Sequence, residues 1–408
     1  MGNSKHFVFI LLLCFSFFMG KSQINGVDQI LGSTETYNTA VPFLTQSNDA
    51  RSSGMGDCGV STSTYLNSIF FNPAKIAFAE KKNGVSITYT PWLRSSALEL
   101  FLLNVATYHK LNNRSGLAFS MHYLSLGKTE FNKDFGASLG DQKPNELSIN
   151  AAYSIKLSKK FSLGTTIRGI YSNLVPNLPS IGSITVKPGA AIAGDIAAFY
   201  RNEKSVLGHY SKLGIGASIQ NIGTKISYTN SENQNLLPAM LRLGVSYEIE
   251  LAPNHFITTV SEITRLLVPV IPYSKLNRYS FCRVIGGSTV TPHTDYVVDD
   301  DSKVFEGIVQ SFHDSPDGFV GEIKEFNWSL GLEYSFKRQY FFRTGYFHET
   351  VSKGNRRYFT FGTGIKYKNL EFNFSYLLPQ VSDSPLKNTY KLGLNLEFDA
   401  IAKKLNLL

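Results

Sequence analysis

The chain has 408 residues, of which 17% are charged and 13% aromatic, and its formal net charge is +9. An apolar content of 43% with a mean hydropathy of -0.08 excludes both a disordered chain and a bundle of membrane-spanning helices. The basic excess is modest and contains no dense Lys/Arg run, so we expect no nucleic-acid partner.

The N-terminus predicts a secretory signal peptide over residues 1–22. Lys5 and His6 precede an apolar run that ends at Gly20, and polar residues follow up to Ser22. A basic start, an apolar core and a polar end are typical of a cleaved signal, and a retained N-terminal anchor is the alternative.

The three cysteines predict neither a lipid anchor nor a defined disulfide. Cys14 lies in the apolar run, and Leu13 before it is not the small residue that lipoprotein cleavage requires. Export leaves Cys58 and Cys282 in an oxidising compartment, where they allow at most one bridge. Because their contexts are unlike and far apart, two unpaired thiols are the simpler prediction, and pairing stays open.

Residues 23–83 form a segment rich in Gly, Ser, Thr and Asn ahead of the first strand. One helix is predicted here, in the sequence FFNPAKIAFAEK, which begins at Phe70. It starts after Asn72 with Pro73 at its first position, where a missing N–H is tolerated.

From Gly84 onward, strict alternation of apolar and polar residues predicts about fourteen strands. Most have about ten residues, the length that a tilted strand needs to cross a bilayer. The predicted strands cover residues 84–92, 97–110, 115–127, 146–158, 161–173, 189–201, 210–226, 238–251, 254–266, 326–337, 339–350, 357–367, 370–379 and 388–398. The predicted fold is all-β, a transmembrane outer-membrane β-barrel of antiparallel strands over residues 84–398, followed by a C-terminal tail at 399–408.

The predicted connections alternate in length, which favours a membrane barrel over a soluble sandwich. Connections after even-numbered strands are brief, while 128–145, 174–188, 227–237 and 267–325 are long. Outer-membrane barrels have short periplasmic turns and long external loops, so we expect 267–325 at the cell surface. The charged side chains of the polar face would be costly inside a sandwich and are expected to face a wet lumen. They are Arg242, Glu248, Glu333, Arg343, Lys366, Glu371, Lys391 and Glu397.

The last predicted strand, NTYKLGLNLEF at Asn388–Phe398, should close the barrel. Closure pairs it with the first strand and removes both sheet edges. Its apolar side, from Tyr390 to Phe398, should then face lipid, and Lys391 should face the lumen.

Nothing in the sequence predicts catalysis, and we expect no enzymatic activity, no cofactor and no metal. Nucleophile-elbow, phosphate-loop and HExxH patterns are missing from the sequence. Asp299, Asp300 and Asp301 could bind a cation, but a solvated charge run is the simpler interpretation.

The long loop 267–325 contains a second predicted helix, capped by Ser302. Its apolar side chains should be buried, either against the barrel mouth or against a protein partner. The predicted partner-binding residues are Leu267, Val268, Pro269, Val304, Phe305, Ile308 and Phe312, and Val309 shares the apolar side of the helix.

Three segments carry a resemblance to a known family. Residues 52–78, TPWLR at Thr90–Arg94 and EITRLLVPVIP at Glu262–Pro272 resemble the PorV/PorQ family of the type IX secretion system, which belongs to the FadL-like superfamily. The similarity extends over nearly the whole chain after the signal. The run MGDCG at Met55–Gly59 is specific to the family, whereas the NPA element at Asn72 marks only the superfamily.

The resemblance implies a fourteen-stranded barrel with residues 23–83 folded as a plug-like segment in or under the lumen. It implies a non-enzymatic protein that binds the C-terminal signal domain of secreted cargo. The implied partners are a SprA-type translocon, which supplies the cargo, and an attachment complex with a PorU-type sortase, which receives it. A FadL-like transporter of hydrophobic small molecules is the main alternative, and a PorQ-like attachment role is another.

Overall fold

A computed structural model describes most of the chain after the N-terminal region. The described residues are 39–91, 100–132, 138–174, 185–206, 208–229, 234–269, 277–282, 292–297, 303–315, 318–351, 354–381 and 384–399. The predicted signal peptide, the Asp299–Asp301 run, Ser302 and the tail beyond Asp399 lie outside them.

The strands form a closed antiparallel barrel of fourteen, with two small hairpins in the loops. In chain order they are β1 (Asn83–Pro91), β2 (Phe101–Lys110), β3 (Ser115–Ser125), β4 (Thr129–Asn132), β5 (Ser138–Gln142), β6 (Asn145–Lys156), β7 (Phe161–Asn173), β8 (Gly189–Val206), β9 (His209–Gly223), β10 (Met240–Ala252), β11 (His255–Leu266), β12 (Asn277–Cys282), β13 (Pro292–Val297), β14 (Asn327–Phe336), β15 (Tyr340–His348), β16 (Arg357–Tyr367), β17 (Leu370–Pro379) and β18 (Tyr390–Phe398). The hairpins β4–β5 and β12–β13 stand outside the barrel. All fourteen predicted strands are confirmed, although β8 runs on to Val206.

The faces of the strands are oriented as a membrane barrel requires. In β7, Ile167 is 63% exposed on the outer face, whereas the neighbouring Arg168 is 6% exposed on the inner face. The same alternation puts Leu392, Leu394 and Leu396 of β18 on the outside. An apolar outer wall with a polar inner wall matches lipid outside the barrel. No helix within the described residues is long and apolar enough to cross a membrane.

The barrel closes between its first and last strands, as predicted. β18 pairs with β1 in a register that runs from Asn83 opposite Phe398 to Tyr89 opposite Leu392. On the other side, β18 pairs with β17. Neither strand is therefore left with an unpaired edge.

The charged inner face does not line a wet lumen as the alternation predicted, because residues 39–82 occupy the lumen, as the resemblance implied. This segment, called the plug below, contains the α-helix α1 (Ala50–Ser53) and three short 3-10 helices at Pro42–Thr45, Leu66–Phe70 and Pro73–Phe78. The last of these is the helix predicted after Asn72. The plug covers most of the charged inner wall: Arg242, Glu248, Glu333, Arg343 and Lys391 are buried, and Lys366, Glu371 and Glu397 are half-buried.

The long loop holds two helices, α2 (Val304–Gln310) and α3 (Gly318–Lys324). The helix that was predicted after Ser302 is α2. It begins after Lys303, whose side chain makes no capping hydrogen bond.

Candidate functional site: a sealed lumen and a helical cap

Backbone groups of the plug are held by ionised side chains of the barrel wall. The N–H groups of Gly59 and Val60 both donate to Glu262 Oε2, at 2.7 and 2.9 Å. The other oxygen of Glu262 accepts from Arg242, 3.0 Å away. Lys391 of β18 donates to the carbonyl of Ser47 at 2.7 Å. Each buried charge thus has a partner, as burial requires.

Two arginines, one from the plug and one from the barrel wall, donate hydrogen bonds to Glu333. Arg51 of the plug helix α1 approaches it with both Nε and Nη2, at 3.1 and 3.0 Å. Arg343 of β15 donates to the same carboxylate at 2.6 Å. This bidentate pair ties α1 to β14 and β15, and a guanidinium fork makes such contacts directional.

The MGDCG run packs closely against the barrel wall because glycines of the plug and of the wall lie opposite each other. Gly56 has a φ of +68°, and its backbone passes so close to Gly345 that a Cβ on Gly345 would lie 2.1 Å from Gly56 N. The Gly56 N–H donates to the hydroxyl of Thr360 at 2.9 Å. Asp57 next to it accepts a hydrogen bond from Tyr358. The motif is therefore the contact surface between the plug and β15–β16.

The NPA element closes the other end of the plug onto β7 and β8. The Asn72 side chain accepts from the Ala74 N–H and donates to the carbonyls of Val60 and Ala198. Ser162 of β7 donates to the Ala74 carbonyl at 2.7 Å. Asn72 therefore caps its helix and joins two plug segments to the wall.

Lys75 and Cys58 are buried inside the plug. Lys75 Nζ donates to the Gly59 carbonyl at 2.6 Å and to Thr62 at 3.0 Å, and lies over the ring of Tyr65. Burial and the nearby Arg51 lower the pKa of Lys75. Cys58 is a free thiol whose pKa is raised, mainly by burial. Its surroundings are those of an inert structural cysteine, and the side chain of Cys282 lies outside the described residues.

The apolar part of the lumen is filled by the start of the plug. Phe43 is fully buried and packs with Val41 among side chains of β2, β3, β7 and β8. Its ring centre is 4.8 Å from that of His122 on β3. Side chains of the chain itself thus occupy the space in which an apolar ligand would have to lie.

A second polar cluster fixes the loop helices to the barrel rim. By the alternation of β11, Arg265 lies on the outer side, the side of the exposed Ser261. Its Nη2 donates to the Ser311 carbonyl, to Glu322 and, at 2.6 Å, to Glu325. The rings of Phe312 and Phe326 cover its guanidinium, 4.7 and 5.1 Å away. Residues 303–325, called the cap below, therefore cover the outer side of β11 at this rim.

The same cluster contains the one group of carboxylates within the described residues that could hold a metal. Asp314, Glu322 and Glu325 bring carboxylate oxygens within 4.8 Å of one another. Arg265 lies against two of them and supplies the positive charge. An arginine-held ion cluster is therefore the simpler account, and we assign no metal.

The structure divides the predicted partner-binding residues between two environments. Leu267, Val268 and Pro269 are buried, and Val304 and Ile308 of α2 are half-buried in a small apolar pocket with the first two. Phe305 and Phe312 are exposed, and so is Val309 beside them. Packing on the barrel and outward exposure of apolar side chains thus both occur within this short segment.

The second helix of the cap also exposes apolar side chains. Phe305 and Phe319 are 74% and 79% exposed, and Val309, Val320 and Ile323 are also exposed. Sequence reasoning missed α3 and Arg265. The sequence did contain a signal for Arg265: a charged residue at a lipid-facing position of a membrane strand has to be shielded from lipid by other parts of the protein.

Fold and site together define a plugged barrel of the outer-membrane class. The family model for Type IX secretion system protein PorV matches residues 31–273, which is more than half of the chain. The chain belongs to this family, and it is an outer-membrane component of the type IX secretion system. The family resemblance seen in the sequence is confirmed.

Several solved structures resemble the chain at low identity. The Pseudomonas putida toluene transporter TodX aligns with a TM-score of 0.46 and 12% identity, over 86% of this chain and 98% of that one. The Ralstonia pickettii toluene transporter TbuX gives 0.45 and 12%, over 86% and 98%. A Pseudomonas aeruginosa FadL homologue gives 0.43 and 10%, over 89% and 100%. No curated protein matches the chain in sequence.

Proposed function

We propose that the protein is the surface docking platform of its secretion system. The cap binds the C-terminal signal domain of secreted cargo, which arrives from a SprA-type translocon and leaves to a PorU-containing attachment complex. The observation that carries this proposal is the outward apolar face of the cap, formed by Phe305, Val309, Phe312, Phe319, Val320 and Ile323. In this proposal the cap lies at the cell surface.

The cap has the properties of a protein-binding surface. An exposed cluster of large apolar side chains is unusual on a folded protein and marks a place where a partner binds. Aromatic anchors such as Phe305 and Phe319 contribute most of the binding energy in such interfaces. The cluster around Arg265 holds the helices in place beforehand, so binding loses little conformational entropy.

The filled lumen supports a platform over a transporter of hydrophobic molecules. Phe43 and its neighbours take up the apolar space, and Glu262, Glu333 and Lys391 anchor the plug from several sides. A small molecule would have to displace this network to cross the described part of the barrel. Binding at the surface needs no such rearrangement.

Site-specific crosslinking tests the proposal. A photoreactive amino acid replaces Phe305, and a matched control replaces Leu157, an exposed apolar residue at the short-turn end. We expect crosslinks to cargo signal domains from position 305 and none from 157.

A charge variant supplies the functional test. Phe305→Asp with Phe319→Asp should leave the barrel folded and membrane-inserted while cargo accumulates in the periplasm. Lys303→Gln, at an exposed position beside the apolar face, is the control. Normal surface display of cargo by the double variant would refute the cap as the docking site.

A further inference from the structure

The end of the barrel with the short turns carries exposed basic residues that the proposed function does not use. We call this set the basic rim: Lys82, Arg114, Lys159, Lys204, Lys337 and Lys368. All six side chains are exposed. These residues lie at the end of the barrel opposite the cap, which belongs to a long loop.

The acidic residues of this end form no ion pair with the basic rim within the described residues, although the exposed Glu80 lies two positions from Lys82. Glu248 pairs with Lys212 and Arg338. Asp399, Glu397 and Glu203 pair with other bases, namely Lys81, Lys366 and Arg201. Within the described residues, no member of the basic rim takes part in an ion pair. Its positive charge is therefore available to a ligand.

The basic rim surrounds the barrel. Lys82 precedes β1, Arg114 lies in the β2–β3 turn and Lys159 in the β6–β7 turn. Lys204 is near the end of β8, and Lys337 and Lys368 lie in the β14–β15 and β16–β17 turns. Among the short-turn connections, the β10–β11 turn is without such a residue. A docked protein would contact one side, whereas lipid surrounds the whole circumference.

Exposed apolar side chains lie next to the basic rim on the lipid-facing wall. Leu111 precedes Arg114, and Leu157 precedes Lys159. Tyr367 is 69% exposed, and Lys368 Nζ is 5.3 Å from its ring centre. Three of the basic groups thus lie within three positions of an exposed apolar residue suited to the acyl boundary, an arrangement that fits a basic side chain reaching the phosphate level.

We propose that the basic rim binds the phosphate groups of anionic phospholipids in the leaflet that faces the periplasm. Short turns are the periplasmic side of outer-membrane barrels. Basic residues beside an anionic bilayer surface each favour binding, and the effect weakens with salt. The ring would hold the barrel at a fixed depth while the cap engages partners at the opposite end.

Native mass spectrometry of the intact, folded barrel tests this inference. The probes are phosphatidylglycerol and, as a neutral reference, phosphatidylcholine. We expect the wild type to retain phosphatidylglycerol preferentially. Replacing all six basic-rim residues by Gln should weaken retention at least about tenfold, since one charge near such a surface contributes roughly a fivefold effect. Added salt should reduce the wild-type preference.

Lys143→Gln with Lys187→Gln is the matched control, because both lysines are exposed on long-loop connections at the opposite end. Retention by this control should equal that of the wild type. The inference is wrong if the variant with all six Gln substitutions retains phosphatidylglycerol as the wild type does. It is wrong as well if retention falls equally in the control. It is also wrong if lipid A binds through the basic rim in preference to phosphatidylglycerol. Heat-modifiable mobility on gels confirms that every variant is folded.

Discussion

The plug and the cap are attached to the barrel by different kinds of contact. The plug is held by many separate contacts on several strands, including those of Glu262, Glu333 and Lys391, and little of it is exposed. The cap is held by one ion cluster at Arg265 and one apolar contact side, and it exposes large apolar side chains. The plug is therefore buried and fixed at many points, whereas the cap is fixed at few points and leaves apolar side chains exposed.

The largest expected effect comes from removing Glu262, the carboxylate of the barrel wall that binds the plug. Glu262→Ala leaves Arg242 buried without a counterion and takes the acceptor from two plug N–H groups. Loss of one partner from a buried pair costs about 3–5 kcal/mol. We expect a lower free energy of unfolding in urea and protease cleavage within residues 39–82.

Glu203→Ala is the control for this change, because Glu203 is exposed and its ion pair with Arg201 is long, at 3.5 Å. Exposed pairs contribute little, so its unfolding curve should overlay that of the wild type. Equal curves for Glu262→Ala and the wild type would show that the plug does not depend on this carboxylate.

The next effect tests the close approach of the plug to the wall. In Gly345→Ala, the new Cβ would lie 2.1 Å from Gly56 N and 2.3 Å from Met55 C, so backbone must move. Overpacking of this kind costs about 1–3 kcal/mol. Limited proteolysis should cut the plug sooner while the barrel stays intact. Gly169→Ala is the control, because nothing lies within 4 Å of its Cβ position; similar cleavage of both variants would contradict the packing argument.

A smaller and more local effect is expected at the cap. Arg265→Gln leaves Glu322 and Glu325 without their shared cation, and the cap should open while the barrel and plug stay closed. Hydrogen exchange measures this as loss of protection in residues 303–325 alone. Lys303→Gln removes only an exposed pair and should leave exchange unchanged. Loss of protection in the plug of Arg265→Gln would show that the two regions are coupled.

The cap should also loosen in acid. Burial raises the pKa of Glu322, but the Ser315 N–H and Arg265 oppose it more strongly and leave it below the ordinary 4.5. The stabilisation is then complete above that value and is lost as pH falls through the lowered pKa. Exchange protection of the cap should follow this course in the wild type and not in Glu322→Gln.

The sequence predicted the barrel well because its signal is local. Residues such as Leu392 and Leu394 show the two-residue period of a strand, and their face follows from it. Closure between β1 and β18 follows from barrel topology. The resemblance implied a plug, but its seating could not be read from the sequence. The contact of Gly56 with Gly345 joins positions far apart in sequence, and only the folded chain shows it.

The cap was predicted in part, for a related reason. The apolar pattern of α2 predicted buried side chains, and Val304 and Ile308 are half-buried. Periodicity cannot show which apolar positions pack on the barrel and which remain outside, so the sequence left both environments open for Phe305 and for Val304. The role of Arg265 was not predicted, because this residue lies at the end of a strand that a distant loop segment covers. Its partners Glu322 and Glu325 lie more than fifty residues later.

The smallest effect is expected at a turn that contacts neither plug nor cap, where a substitution should raise the free energy of unfolding. In the β14–β15 turn, the Gln339 N–H donates to the Phe336 carbonyl, and the two residues between them, Lys337 and Arg338, have φ values of 54° and 52°. This is a type I′ turn, which favours Asn and Gly because other side chains are strained there. Lys337→Asn should therefore raise the free energy of unfolding by roughly 0.5–1 kcal/mol. Lys337→Gln removes the same charge without the backbone preference, so an equal gain in both variants would assign the effect to charge. Unchanged plug proteolysis and cap exchange in Lys337→Asn would show that barrel stability can rise independently of both regions.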